Sequence, residues 1–215
     1  MSIFRLSEEI VFPDPHLSED NGLLAIGGDL SVDRLLEAYI NGIFPWYNEG
    51  DPIMWWSPKP RCVLLPQNIK ISKSMAKIIK KDIFKVTIDN DFEGVISNCK
   101  SIREDNGTWI TEEMKDAYIR LHDAGYALSV ETYLEGELVG GLYGVVIGRC
   151  FFGESMFSKV SNASKIALIK LAQVLEKNNF DFIDCQMRTN HLISMGAKMI
   201  EFDEFLRLID KGISE

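Results

Sequence analysis

The sequence predicts an α+β fold with a small lobe at its N-terminal end. Three strand signals, Ala127 to Tyr133, Leu138 to Ile147 and Cys150 to Met156, are separated only by tight turns, which is the pattern of an antiparallel meander. A helix of 3.6-residue periodicity and one more strand follow, and strands grouped before helices in this way indicate α+β. Residues 1–61, by contrast, alternate short apolar runs with Pro13-Asp14-Pro15, Asn21-Gly22 and Gly27-Gly28-Asp29 breakers, and read as a domain distinct from residues 62–215.

In chain order, Ser31 caps a helix from Val32 to Ile40, with Leu35, Leu36 and Tyr39 inward and Gly42 just past its end. Three of the four tryptophans, Trp46, Trp55 and Trp56, then fall within eleven residues between prolines. They form either a satellite core or an aromatic wall for an apolar or base-like ligand. Cys62 to Leu65 is a strand. Lys70 to Lys81 is an amphipathic helix whose stripe of Ile71, Met75, Ile78 and Ile79 lies opposite Lys70, Lys73, Lys77, Lys80 and Lys81. A strand, Phe84 to Ile88, and a helix, Phe92 to Cys99, precede a loop carrying Trp109. Thr111 caps a helix from Glu112 to Ala124, and Gly125 ends it. Gly140, Gly141 and Gly144 inside the middle meander strand predict a bulge or a backbone kept open for a ligand. The chain closes with a helix from Ala163 to Asn178, a strand from Phe182 to Cys185, a short helix near His191 to Met195, a strand from Lys198 to Ile200 and a helix from Asp203 to Lys211.

The stretch from Cys150 to Gln186 holds the chemistry-bearing candidates. A strand, a helix and a returning strand bring their polar ends into one crevice, where α/β layers hold ligands. That places Glu154, Asp184 and Gln186 together.

Composition narrows the function classes. No apolar run reaches the ~18 residues of a membrane span, and the start MSIFRLSEEIVF lacks the basic and apolar regions of a signal peptide. The four cysteines are scattered and the three histidines lack metal spacing, so reduced thiols in a cytoplasmic protein and no metal site are expected. The net charge of −9 argues against general nucleic-acid binding. Yet Lys59 to Lys85 holds eight basic residues and one acid, a local +7 that leaves −16 on the remainder. Such an island predicts one anionic partner at one place, and the unalternated lysines of the 70–81 helix suit a phosphate backbone.

Several blocks together resemble one family: GLLAIGGDL (22–30), AYINGIFPWY (38–47), IMWWSPKPR (53–61), GTWIT (107–111), AYIRLHDAGYALSVE (117–131), LVGGLYGV (138–145), FFGESMFSKVSNASKIAL (151–168), IDCQ (183–186) and HLISMGA (191–197). Their order and spacing resemble the bacterial leucyl/phenylalanyl-tRNA–protein transferases over nearly the whole chain. Leu128 stands where that family usually has His, Tyr133 where Trp is common, and Glu201 and Asp203 where basic residues follow.

The resemblance implies a small N-terminal domain followed by a domain like the GCN5-related N-acetyltransferases, with a mostly antiparallel sheet flanked by helices. It implies transfer of Leu or Phe, with Met as a further donor, from aminoacyl-tRNA to the α-amine of a protein beginning with Arg or Lys, which creates a degradation signal. The acyl donor is already activated, so no cofactor is expected. Trp46, Trp109, Phe151, Met156 and Ser158 become candidates for the acyl and adenosine pocket. Glu154 and Asp184 become counter-charges for the cationic acceptor, with Asp184 also fixing the amide of Gln186. Gln186, too weak a base to hold a proton, becomes a hydrogen-bond acceptor for the amine, and the proton leaves through the terminal ribose hydroxyl. Two other readings are a CoA-dependent N-acyltransferase and a non-catalytic tRNA-binding protein. The loop SKVSNASK before the 163–178 helix lacks the glycines of a pyrophosphate cradle, which disfavours the former.

Overall fold

The structure, a computed structural model, describes residues 3–102 and 110–214. The turn-rich N-terminal part carries a four-stranded sheet in which β1 (Phe4–Leu6), β2 (Leu23–Gly27), β4 (Met54–Trp56) and β3 (Phe44–Pro45) lie side by side in that order. These strands run only two to five residues between breakers, too short for a readable alternation. Helix α1 (Val32–Ile40) packs beside the sheet. Ser31 accepts the Arg34 N–H as its cap, and Gly42 takes a φ of 69° just beyond its end.

The second sheet has seven strands in the order β11 (Lys198–Ile200), β5 (Arg61–Leu64), β10 (Phe182–Gln186), β9 (Cys150–Ser158), β8 (Glu137–Ile147), β7 (Ala127–Leu134) and β6 (Lys85–Ile88). Only β10 and β9 pair in parallel; every other pair is antiparallel. Helix α5 (Ala163–Lys177) covers one face. Helices α3 (Phe92–Ser101), α4 (Glu112–Asp123) and α7 (Phe202–Ser214) lie on the other, and a short α6 (Asn190–Ser194) follows β10. Helix α2 (Lys73–Lys80) begins three residues later than its periodicity predicts. Ser72 caps it, and the Lys70 N–H is committed instead to the Met195 carbonyl. One hydrophobic cluster spans both sheets, joining Leu24 and Trp55 of the first to Phe152 and Phe182 of the second and Phe205 of α7.

Of the two alternatives offered by the glycines of β8, the structure has the bulge. A register shift does occur between Tyr143 and Gly144. The space, however, is filled by protein rather than held for a ligand. A methyl on Gly140 would lie 2.5 Å from the Ala163 Cβ and 2.9 Å from its carbonyl carbon, because the start of α5 rests on this strand. Gly140→Ala is therefore expected to lower stability by about 1–3 kcal/mol, measurable by urea denaturation; an unchanged midpoint would contradict this packing.

Candidate active site

Parallel pairing of β9 with β10 runs from Cys150 and Phe182 to Phe152 and Asp184. Past that point β10 shifts register against β5 between Asp184 and Gln186. A cavity of about 560 Å³ opens there. Its walls are Phe44 and Pro45 of β3 with Trp46 just after it, Phe151 and Gly153 to Met156 of β9, Ile183 to Gln186 of β10, and Leu168 and Leu171 of α5. The crevice predicted from the Cys150–Gln186 stretch is present, and Glu154, Asp184 and Gln186 all line it.

The buried charge nearest the cavity is paired. Asp184, 1% exposed, accepts from Arg61 Nε at 2.9 Å and Nη2 at 2.7 Å in a two-pronged contact. Arg61 is fully buried, and the Phe44 and Phe205 rings flank its guanidinium at 4.9 and 4.7 Å. Asp184 Oδ1 also accepts the Gln186 backbone N–H at 2.8 Å. This corrects two expectations. Asp184 is already neutralised by Arg61, so it is not the counter-charge for an incoming cation. It also fixes the main chain of Gln186 rather than its carboxamide. Gln186 sits at a φ of 58°, a left-handed conformation held by these neighbours.

The carboxamide goes to Glu154, with Gln186 Nε2 donating to Glu154 Oε1 at 2.8 Å. Tyr118 donates to Glu154 Oε2 at 2.8 Å, and the Tyr118 hydroxyl meets that of Tyr39 at 2.5 Å. Glu154 keeps part of its surface on the cavity, but protein encloses its remaining sides. That burial pushes its pKa up to about 7, against the opposing hydrogen bonds from the tyrosines, while the nearby Asp184 charge also raises it. Burial likewise holds the Tyr39 and Tyr118 hydroxyls well above the ordinary tyrosine range, so they act as donors. An ionised carboxylate offers only acceptors. It therefore orients the Gln186 NH₂ toward itself and leaves the amide oxygen unengaged among the described residues.

Tyr39 and Tyr118 are legible in the sequence only as inward faces of α1 and α4. Their hydroxyl roles depend on a contact between residues 79 apart. Arg61, which closes the family-like WWSPKPR block, is visible in the sequence only as one of the basic residues between Lys59 and Lys85.

The apolar part of the cavity contains Phe151, 1% exposed, with Met156, Leu142, Leu168 and Leu171. Trp46 stands at its edge, tilted against Trp56 at 5.4 Å between ring centres. Ser158 is not brought to the cavity. Its hydroxyl donates to the Val160 carbonyl at 2.8 Å and accepts the Ser164 N–H at 3.3 Å, capping the start of α5. Trp109 lies outside the described residues. Lys73, Lys77 and Lys80 are exposed on α2, with Lys70 and Lys81 exposed on either side of it, and none is ion-paired among the described residues. None of them lines the cavity. Glu131 is fully buried but structural: it accepts from Thr87 Oγ1 at 2.5 Å, from Ser129, and from the N–H groups of Asn90 and Asp91 at 3.4 Å.

Two family models match the chain. "Leucyl/phenylalanyl-tRNA protein transferase" covers residues 63–210, and the N-terminal domain of the same family covers residues 28–59. The chain belongs to the leucyl/phenylalanyl-tRNA protein transferase family. Relatives bearing the transferase name match nearly the whole chain. The one from Syntrophobacter fumaroxidans is 54% identical, covering 100% of this chain and 93% of the relative. That from Nitrosomonas eutropha is 56% identical over 97% and 91%, and that from Flavobacterium psychrophilum 53% over 96% and 99%. Among solved structures, L-PGS from Bacillus licheniformis aligns with this transferase-family chain at 10% identity, covering 90% of this chain and 73% of that one, with a TM-score of 0.47. A GCN5-related N-acetyltransferase from Kribbella flavida aligns at 8% identity over 80% and 61%, with a TM-score of 0.39. Among the described residues of this family member, no helix is long and apolar enough to cross a membrane.

Proposed function

We propose that this chain transfers Leu or Phe, with Met as a further donor, from aminoacyl-tRNA to the α-amine of proteins beginning with Arg or Lys. Family membership supports the reaction. The observation that carries the chemistry is the Glu154–Gln186 hydrogen bond at the edge of an apolar cavity. The amine nitrogen attacks the ester carbonyl, a C–N bond forms, and the C–O bond to the tRNA ribose breaks. Gln186 accepts an N–H of the attacking amine through its free amide oxygen, while ionised Glu154 keeps that oxygen turned to the substrate. The proton passes to the leaving ribose oxygen by way of its neighbouring hydroxyl. The ester is already activated, so the reaction needs no cofactor.

With Asp184 balanced by Arg61, Glu154 carries the uncompensated negative charge of the site. It draws in the cationic N-terminus and selects its Lys or Arg side chain. Phe151, Met156, Leu168 and Leu171 receive the Leu or Phe side chain, and Trp46 the terminal adenosine. Apolar walls of this kind separate side chains by only ~1–3 kcal/mol per methylene, which suits a donor range rather than one amino acid. The protein acts as a monomer in the cytoplasm, with residues 1–61 as a small domain and 62–215 as the catalytic one.

The first turn of α5 supports tRNA rather than CoA as donor, since Ser158 takes the Ser164 N–H and Gly140 abuts Ala163 where a pyrophosphate would need room. One assay tests both: radiolabelled Leu- or Phe-tRNA with an Arg-initiated peptide, beside acetyl-CoA with the same peptide. Label should move from tRNA to peptide; acetylation alone would overturn the proposal.

The tRNA body meets the lysine helix. Changing Lys73, Lys77 and Lys80 to Ala should weaken tRNA binding and flatten its dependence on salt by ~0.7–0.9 log units per log unit of salt for every phosphate that is no longer neutralised. Activity with aminoacyl-adenosine should be unchanged; an equal loss there would refute the phosphate role.

A further inference from the structure

A second basic region lies in the C-terminal half, hidden by the acidic net charge. From Ser155 to Leu175, along β9 and into α5, the chain carries Lys159, Lys165 and Lys170 and no acid. From Cys185 to Ile200, around α6, it carries Arg188 and Lys198 and again no acid. These two segments close one side of the cavity, through Leu168 and Leu171 of α5 and through Met187, Thr189, His191 and Leu192 at α6.

Lys198 is committed to Glu204 at 3.8 Å. Lys165 and Arg188 have no ion pair among the described residues, and both border the cavity lining. Arg188 is exposed in the loop between β10 and α6, between Met187 and Thr189, which both line the cavity. Lys165 is half-buried and stands one helical turn before Leu168, on the same side of α5. Its charge reaches His191, whose imidazole is held below its ordinary pKa by burial and then by Lys165.

The rim is continuous with the lysine helix. Met195, at the end of α6, accepts the Lys70 N–H at 2.8 Å, and only about 6 Å of helical rise separates it from His191. Helices α5 and α2 also share a groove, with Ile166 and Lys170 on one wall, Ile78 and Ile79 on the other, and Asp82 beside them. The uncompensated acid of the cavity, Glu154, comes instead from the sheet.

We propose that Lys165 and Arg188 hold the phosphate that links the donor's terminal adenosine to the rest of the tRNA. The assignment rests on the reading of aminoacyl-tRNA as donor. The guanidinium meets a phosphate through two parallel N–H bonds, and the ammonium supplies a point charge. With that phosphate fixed, the preceding nucleotides run along α6 toward Lys70 and the α2 lysines. The cationic acceptor is repelled by this rim and drawn to Glu154, so opposite charge sorts the two substrates to separate sides of one cavity.

The test uses the full chain, an Arg-initiated peptide, and aminoacyl-adenosine with and without a 5′-phosphate as donor. The phosphate should raise kcat/KM about 10-fold, as a charge-assisted contact allows. In R188A and in K165A that ratio should fall toward 1, with R188K keeping part of it. K165M, which retains the aliphatic stem, serves as a second variant should K165A fold poorly. In calorimetry, adenosine 5′-monophosphate should bind the parent about 10-fold tighter than adenosine, and the Lys165 and Arg188 double variant should bind the two alike. Equal use of both donors by the parent overturns the proposal, and so does a phosphate preference that survives both substitutions. If no donor of any kind is used, the proposed function fails, and the binding ratio of the two nucleotides alone decides the phosphate site.

Discussion

Arg61→Ala should destabilise the protein by about 3–5 kcal/mol, because the change leaves Asp184 charged and 1% exposed with no cation beside it. The cost comes from the stranded charge rather than from the absence of the pair. Asp184→Ala should be comparably damaging, since it strands Arg61 between two phenylalanine rings. The double change, which removes both charges, should recover a large part of the loss. Arg61→Lys should rescue poorly, as an ammonium cannot reproduce a two-pronged contact through Nε and Nη2. Urea denaturation midpoints on the four variants measure this. Additive losses in the double variant would show that the pair is not coupled.

Glu154→Gln should reduce kcat/KM about 100-fold at pH 8, an effect in the range expected when a catalytic positioning or proton-handling group is removed. The substituted amide meets the Gln186 NH₂ with a donor of its own, and one of the two must turn away. The pH profile distinguishes this from general damage. In the parent chain, activity should rise as Glu154 ionises near its pKa of about 7. The acceptor amine, with an ordinary pKa of ~7.7–8.0, adds a second rise. E154Q should keep the second and lose the first; a profile that retains both would remove Glu154 from the chemistry.

The same carboxyl makes stability depend on pH. Its folded pKa lies above the ordinary value of 4.5, so the folded chain binds a proton more readily than the unfolded one between the two. This contribution is fully present below the ordinary pKa and is lost as pH rises through about 7. At pH 8, E154Q should accordingly be less active yet more stable than the parent.

Much of this architecture is legible in local pattern. The cap at Ser31, the meander and the 3.6 periodicity of α5 all operate within a few residues, and α5 runs from Ala163 as its spacing predicts, ending at Lys177. Glu154 is likewise legible as the lone carboxylate within an apolar strand, and Gln186 as the polar end of another. What escapes is long-range. Arg61 and Asp184 are 123 residues apart, and no periodicity links them. Ser158 looks like a pocket residue beside Met156, but the turn after β9 bends it back to cap α5. The first sheet is hidden because its strands are too short to alternate, and its order places β4 between β2 and β3.

Phe44 flanks the buried guanidinium of Arg61 and, with Trp46, walls the cavity, while Tyr39 supports Tyr118 against Glu154. The four-stranded part is thus not an accessory that lineages can freely exchange. A recombination event joining it to a foreign second half would inherit a site lacking one ring over the arginine and one hydroxyl in the chain.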